Sequence, residues 1–137
     1  MKLLNLYEIE EEYISLDTAK LAKGKNVLIF GLTTWYWKGE IYRSYDDEGN
    51  EFCKKHVEHY LKDETQYLCP TQSLLQRYLR EKYSIMILVS YNIAGWFWGI
   101  KTFNGVTINL PDTPKYFNTY EEALEDGLKQ GLKLIEV

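Results

Sequence analysis

Ile85-Met86-Ile87-Leu88-Val89, then Trp96-Phe97-Trp98-Gly99-Ile100-Lys101-Thr102-Phe103, Asn104-Gly105 and Val106-Thr107-Ile108-Asn109-Leu110 form the stretch on which the fold class turns. The first run is apolar at consecutive positions, so it reads as an internal strand covered on both faces. Asn104-Gly105 lies between two β-rich segments, and that dipeptide suits the positive φ angles of a two-residue hairpin turn. Such a turn places Phe103 opposite Val106, Lys101 opposite Ile108 and Gly99 opposite Leu110. The alternate face then carries Trp96, Trp98, Ile100 and Thr102. Pro111 and Pro114 close the sheet, because proline cannot donate to a ladder.

On the N-terminal side of this sheet, Pro70 and Thr71 open a helix whose Leu74, Leu75, Tyr78 and Leu79 make one apolar stripe, ending near Tyr83. On its C-terminal side, Thr119 with Glu122 three residues on is a capping box. The stripe of that last helix is Tyr120, Ala123, Leu124, Leu128, Leu132 and Ile135. Gly127 and Gly131 fall in it, each costing about 1 kcal/mol of helix propensity, so a close approach to the sheet is their expected purpose. Further upstream Ser15 caps a short helix through Lys23, with Gly24 as its stop. Asn26 to Trp37 reads as a strand region, turned by Lys38-Gly39 into a second strand, Glu40 to Tyr45. Asp46 to Asn50 is a loop and Phe52 to Leu61 a short helix. The expected architecture is α+β: an antiparallel sheet packed by two main helices, with an additional N-terminal aromatic hairpin and short helices. With no repeat, low-complexity tract or linker, residues 1–137 read as a single domain.

At 137 residues one core suffices, and 45% hydrophobic against 26% charged residues is globular usage that argues against wholesale disorder. The net charge of −4 and the lack of any basic run exclude the usual electrostatics of nucleic-acid binding. Acidic clusters at Glu8 to Glu12 and Asp46 to Glu48 are too local for a DNA mimic. No membrane span or signal-peptide core is present, so a cytoplasmic protein is expected, with Cys53 and Cys69 as thiols.

Three segments carry a resemblance: Ser15-Leu-Asp-Thr-Ala-Lys-Leu-Ala-Lys23, Pro70-Thr-Gln-Ser-Leu-Leu-Gln-Arg-Tyr-Leu-Arg-Glu81 and Thr119-Tyr-Glu-Glu-Ala-Leu-Glu-Asp-Gly-Leu-Lys-Gln-Gly-Leu-Lys-Leu-Ile135. Together they resemble a group of uncharacterised small proteins of Bacteroides-type gut bacteria and their phages. That group has no assigned activity and no catalytic residues to carry over. The resemblance implies provenance alone: a phage or mobile-element accessory protein.

Chemically, Cys53-x2-His56-x2-His59 with Cys69 offers thiolate and imidazole ligands of the kind that bind tetrahedral zinc, although the spacing lacks the usual knuckles. Cys69 ahead of a helix, with His56 or His59 as base, is the Cys/His enzyme alternative, without an identifiable third member. A winged-helix alternative would read DNA with Gln72, Gln76, Arg77 and Arg80. No glycine-rich phosphate loop exists, and no cofactor is implied. The remaining signal is aromatic. Twelve Tyr, five Phe and four Trp make 15% of the chain. The expected function is therefore a non-catalytic interaction protein, contacting an unknown protein or a second copy through Trp96, Trp98 and Ile100, with Trp35 and Trp37 as further anchors. The alternative for those aromatics is that the two tryptophan groups cover each other.

Overall fold

The computed structural model describes residues 11–102, 107–108 and 115–136. It is mixed α+β, with two antiparallel three-stranded sheets and four α-helices among the described residues. Helix α1 spans Leu16–Gly24, and the Ser15 side chain accepts from the Thr18 N–H as its cap. Strands β1 (Trp35–Trp37) and β2 (Glu40–Tyr42) turn through Lys38 and Gly39, both at positive φ, as the sequence leads one to expect. The extended region before β1 is shorter than expected. Positive φ at Asn26 and Gly31 breaks the run, and Val27 and Leu32 plug the core from irregular chain instead. A 3₁₀ turn at Lys54–His56 leads into α2, Val57–Lys62, so the expected helix from Phe52 starts later.

Strand β3, Gln66–Leu68, is an element that sequence reading passes over; it completes the order β2-β1-β3. Helix α3 covers Gln72–Tyr83 with Thr71 as cap, and Ser84 in the left-handed region ends it. The second sheet has the order β4-β5-β6, from Met86–Asn92, Gly95–Lys101 and Thr107–Ile108. Helix α4, Tyr120–Lys133, is capped by Thr119, which accepts from the Glu122 N–H.

Two expectations for this sheet are corrected. Strand β4 is not internal: among the described residues β5 is its one strand neighbour, and Leu88 is 44% exposed. Helix α4 covers one face only, so consecutive apolar side chains in β4 alternate between the core and the open face. The β5–β6 register is also shifted by one residue, pairing Ile100 with Ile108 and Lys101 with Thr107. A two-residue turn would have paired Lys101 with Ile108; the turn residues Asn104 and Gly105, like Phe103, Val106, Leu110 and the two prolines, lie outside the described residues.

The close-approach reading of the helix glycines is right. A Cβ at Gly127 would sit 2.8 Å from Ile87 and 3.1 Å from Trp98, and one at Gly131 would sit 2.7 Å from Ile87. Leu124, Leu128 and Leu132 of α4 are buried with Leu75, Leu79, Ile87 and Ile100 in the main core cluster. Each contributes about 1.5–3 kcal/mol by burial, which more than offsets the propensity cost of the two glycines. A second cluster joins Leu32, Tyr45, Phe52, Tyr60 and Leu68 beneath the first sheet.

Glu125 ties the layers together. One carboxylate oxygen accepts from the Ser15 main-chain N–H at 3.2 Å, its hydroxyl at 3.1 Å and the Thr18 hydroxyl, while the other accepts from Gln72 Nε2 at 3.0 Å. An anion at the start of α1 also faces the positive end of that helix.

Candidate functional site: the aromatic end of the β4–β5 hairpin

The turn between β4 and β5 is Ile93-Ala94, held by Asn92 Oδ1 accepting from the Ala94 N–H at 2.8 Å. Gly95 follows at φ +132, where a Cβ would come within 2.8 Å of the Phe117 carbonyl oxygen, so the position requires glycine. That close approach lets Trp96 and Phe117 exchange two main-chain hydrogen bonds, of 3.0 and 2.8 Å. Three separate segments thereby converge on the hairpin end.

Their side chains leave an unusually apolar surface there. Ile93 at the turn is fully exposed and Tyr91 is 64% exposed. The Tyr91 ring packs on Trp96 at 4.9 Å, and Trp96 meets Tyr120 of α4 edge-on at 5.6 Å. On the other face Phe97 and Tyr116 meet at 5.9 Å, and Tyr116 is exposed. No charged residue stands between Ser84 and Lys101 in the sequence.

The expected contact face is thus partly displaced. Trp96 belongs to the surface, but Trp98 and Ile100, expected to be partner contacts, are core: Trp98 is 7% exposed and Ile100 0%. The indole N–H of Trp98 is satisfied by Asp126 Oδ2 at 2.7 Å. The physical reason is the placement of α4, whose Gly127 lies against Trp98 while its first residue, Tyr120, reaches Trp96. Trp35 and Trp37 are half-buried and do not cover the second sheet's tryptophans. Trp35 stacks with Tyr42 and Tyr45 and donates to the Ser44 carbonyl at 2.6 Å, and Trp37 lies edge-on to Tyr42 with Lys38 over its ring.

The four candidate metal ligands are not brought together. His56 Nδ1 accepts from the Cys53 main-chain N–H at 3.1 Å and lies 3.5 Å from the Cys53 sulfur; its Nε2 is 3.3 Å from Asp46 Oδ2. Both ring nitrogens are therefore spent on holding the loop, as a cap and a carboxylate contact. His59 is exposed beside Asp63, and Cys69 is fully buried near Tyr36 and the Ile14 carbonyl. Among the described residues no group of three or more His, Cys, Asp or Glu could hold a metal ion. Burial pushes the Cys69 thiol up to about 11, which opposes the thiolate that a nucleophile or a zinc ligand needs. Cys69 meets the Ile14 carbonyl and Tyr36, whereas His56 meets Cys53 and Asp46 and His59 meets Asp63, so the Cys69 pairing with His56 or His59 is not formed.

Of the DNA-reading candidates, Gln72 and Gln76 are tied into the fold, whereas Arg77 and Arg80 lie exposed on α3. Gln72 is buried and donates to Glu125 and to the Glu121 carbonyl, Gln76 Nε2 donates to the Ile87 carbonyl at 2.8 Å, and Arg77 pairs with Glu81 at 3.0 Å. Beside α3 and α4 runs an open groove of about 1060 Å³ whose wall mixes Glu11, Glu12, Glu121, Glu122 and Asp126 with Arg43, Lys115 and Lys129. No helix among the described residues is long and apolar enough to cross a membrane.

Comparison of the chain with protein-family models, with curated proteins and with solved structures gives no match. The hairpin end is a feature that the aromatic content points to from sequence. Tyr116 and Tyr120 go unmarked there, because their approach to β5 depends on the Trp96–Phe117 bridge.

Proposed function

We propose that this chain is a non-catalytic interaction protein of phage or mobile-element origin, acting in the cytoplasm, that binds a protein partner through the end of its β4–β5 hairpin. The observation that carries this reading is Ile93, fully exposed at a hairpin turn whose flanking strands carry the Tyr91–Trp96–Tyr120 aromatic cluster. An apolar residue held out to water by a well-formed turn, next to an exposed aromatic cluster, has the composition of an interface anchor. The provenance rests on the resemblance of the three helical segments.

The test compares the parent with Ile93→Asp and Tyr91→Ala in cross-linking and affinity capture from host lysate. Both side chains are exposed, so the fold is kept, with Tyr91→Ala losing no more than about 0.5–1.5 kcal/mol from its ring contact with Trp96. The captured protein, whether a second copy or another chain, should be lost by about tenfold or more in the variants. Equal capture by parent and variants overturns the hairpin reading.

A further inference from the structure

We propose that Cys53 is a reactive thiol that forms mixed disulfides with small disulfides, with His56 as the base beside it and Asp46 as the carboxylate that orients the base. The hydrogen bonds of the His56 ring fix which nitrogen carries its hydrogen. A main-chain N–H can only donate, so Nδ1, which meets that of Cys53 at 3.1 Å, presents a lone pair. The hydrogen of the neutral ring is then on Nε2, 3.3 Å from Asp46 Oδ2, an oxygen that can only accept when ionised. Two contacts on opposite sides of the ring thus select one tautomer. In that tautomer the only hydrogen between the Cys53 sulfur and Nδ1, 3.5 Å apart, is the one the thiol brings. The thiol therefore donates to a base that already faces it.

The surroundings hold this order in place. Asp46 accepts from the main-chain N–H of Asn50 at 2.9 Å, from the Asn50 side chain at 3.1 Å and from the Glu48 main-chain N–H at 3.1 Å, which together hold its carboxyl below the usual carboxylate range. The His56 ring packs on Tyr45 at 4.7 Å and on Phe52 at 6.0 Å, and both of those residues are buried. Cys53 itself is half-exposed, so a small reagent can reach its sulfur. The contacts that keep His56 from a metal ion leave Nδ1 within reach of a proton. When that proton arrives, the Cys53 N–H gives up its acceptor, and water can take over at a half-exposed position.

Disulfide exchange is the chemistry these groups suit. Acyl transfer would ask for donors at an oxyanion, and the Cys53 N–H that could serve is engaged by His56. Attack on a disulfide keeps the developing charge on sulfur and needs only a deprotonated thiol with access. In the step, the Cys53 S–H proton passes to His56 Nδ1 while the sulfur attacks one sulfur of the reagent. The Cys53–sulfur bond forms, the reagent's S–S bond breaks, and its other half leaves as a thiolate that takes the proton from Nδ1. No external oxidant is consumed, because the disulfide is reduced as Cys53 is oxidised. Cys69, buried and with its thiol pushed up to about 11, serves as the unreactive reference in the same molecule.

The experiment gives the full chain glutathione disulfide at neutral pH and follows the mixed disulfide by intact mass and peptide mapping. Cys53 should react about tenfold or more faster in the native chain than in guanidinium, and Cys69 only in guanidinium. His56→Asn offers the Cys53 N–H an acceptor but no base, so its rate should fall to that of the unfolded chain. Asp46→Asn turns a donor towards Nε2 and so moves the ring hydrogen to Nδ1. Nitrogen NMR should show that move, together with a rate lowered by about tenfold. A merely structural Asp46 would not relocate the hydrogen. The proposal is overturned by a native Cys53 no faster than the unfolded one, by His56→Asn or Asp46→Asn reacting as the parent does, or by a parent ring with its hydrogen on Nδ1. Should a variant fail to fold, the parent's rate ratio and nitrogen spectrum decide without it.

Discussion

The thiol of Cys69 sits in the main core cluster beside Tyr36 and the Ile14 carbonyl, whereas Cys53 is half-exposed at the head of a 3₁₀ turn. Burial favours the protonated thiol of Cys69, so its contribution to stability is present below the unfolded thiol range and is lost as pH rises towards about 11. The expected outcome with a thiol reagent at neutral pH is one fast equivalent, from Cys53, and a second only on unfolding. Two fast equivalents in the native protein would show that the Cys69 environment is wrongly described. Sequence could place both cysteines near histidines, but not decide which nitrogen meets which donor. That outcome depends on Asp46, whose carboxylate accepts from Asn50 and Glu48 main-chain N–H groups, and on the loop so formed bringing Asp46 to His56.

At the scale of elements, the legible parts were those governed by local rules. The caps at Ser15, Thr71 and Thr119, the Lys38-Gly39 turn and the two helix glycines all follow from neighbours within four residues. Strand β3 was not legible, because three residues are too few for alternation and its pairing with β1 joins Trp35 to Leu68 across the intervening chain. The partner face was half legible. Trp96, Trp98 and Ile100 do share one side of β5, but the length of α4 decides which of them is covered. Trp98→Ala should therefore cost about 3–5 kcal/mol of stability and leave association unchanged in the surviving folded fraction. Gly131→Ala should cost about 1–3 kcal/mol, since its new methyl meets Ile87 in a packed core. Chemical denaturation checks both, and a neutral Gly131→Ala would mean that α4 can lift from the sheet freely.

For the whole molecule the decisive element is α4, which meets β4 and β5 of the second sheet, α3 and α1. A chain cut before Thr119 should keep helical signal in far-ultraviolet circular dichroism but lose near-ultraviolet structure and bind a hydrophobic dye. A cooperative thermal transition in that truncation would show that the core closes without α4. The same dependence has a consequence for synthesis. The carboxylate that anchors the start of α1 arrives 110 residues after Ser15. At ribosomal speed, about 5–20 residues per second, the first helix waits roughly 5–20 seconds for its anchor. Over that interval Ala19, Ala22 and the apolar face formed by Ile87, Trp98 and Ile100 emerge without the helix that covers them.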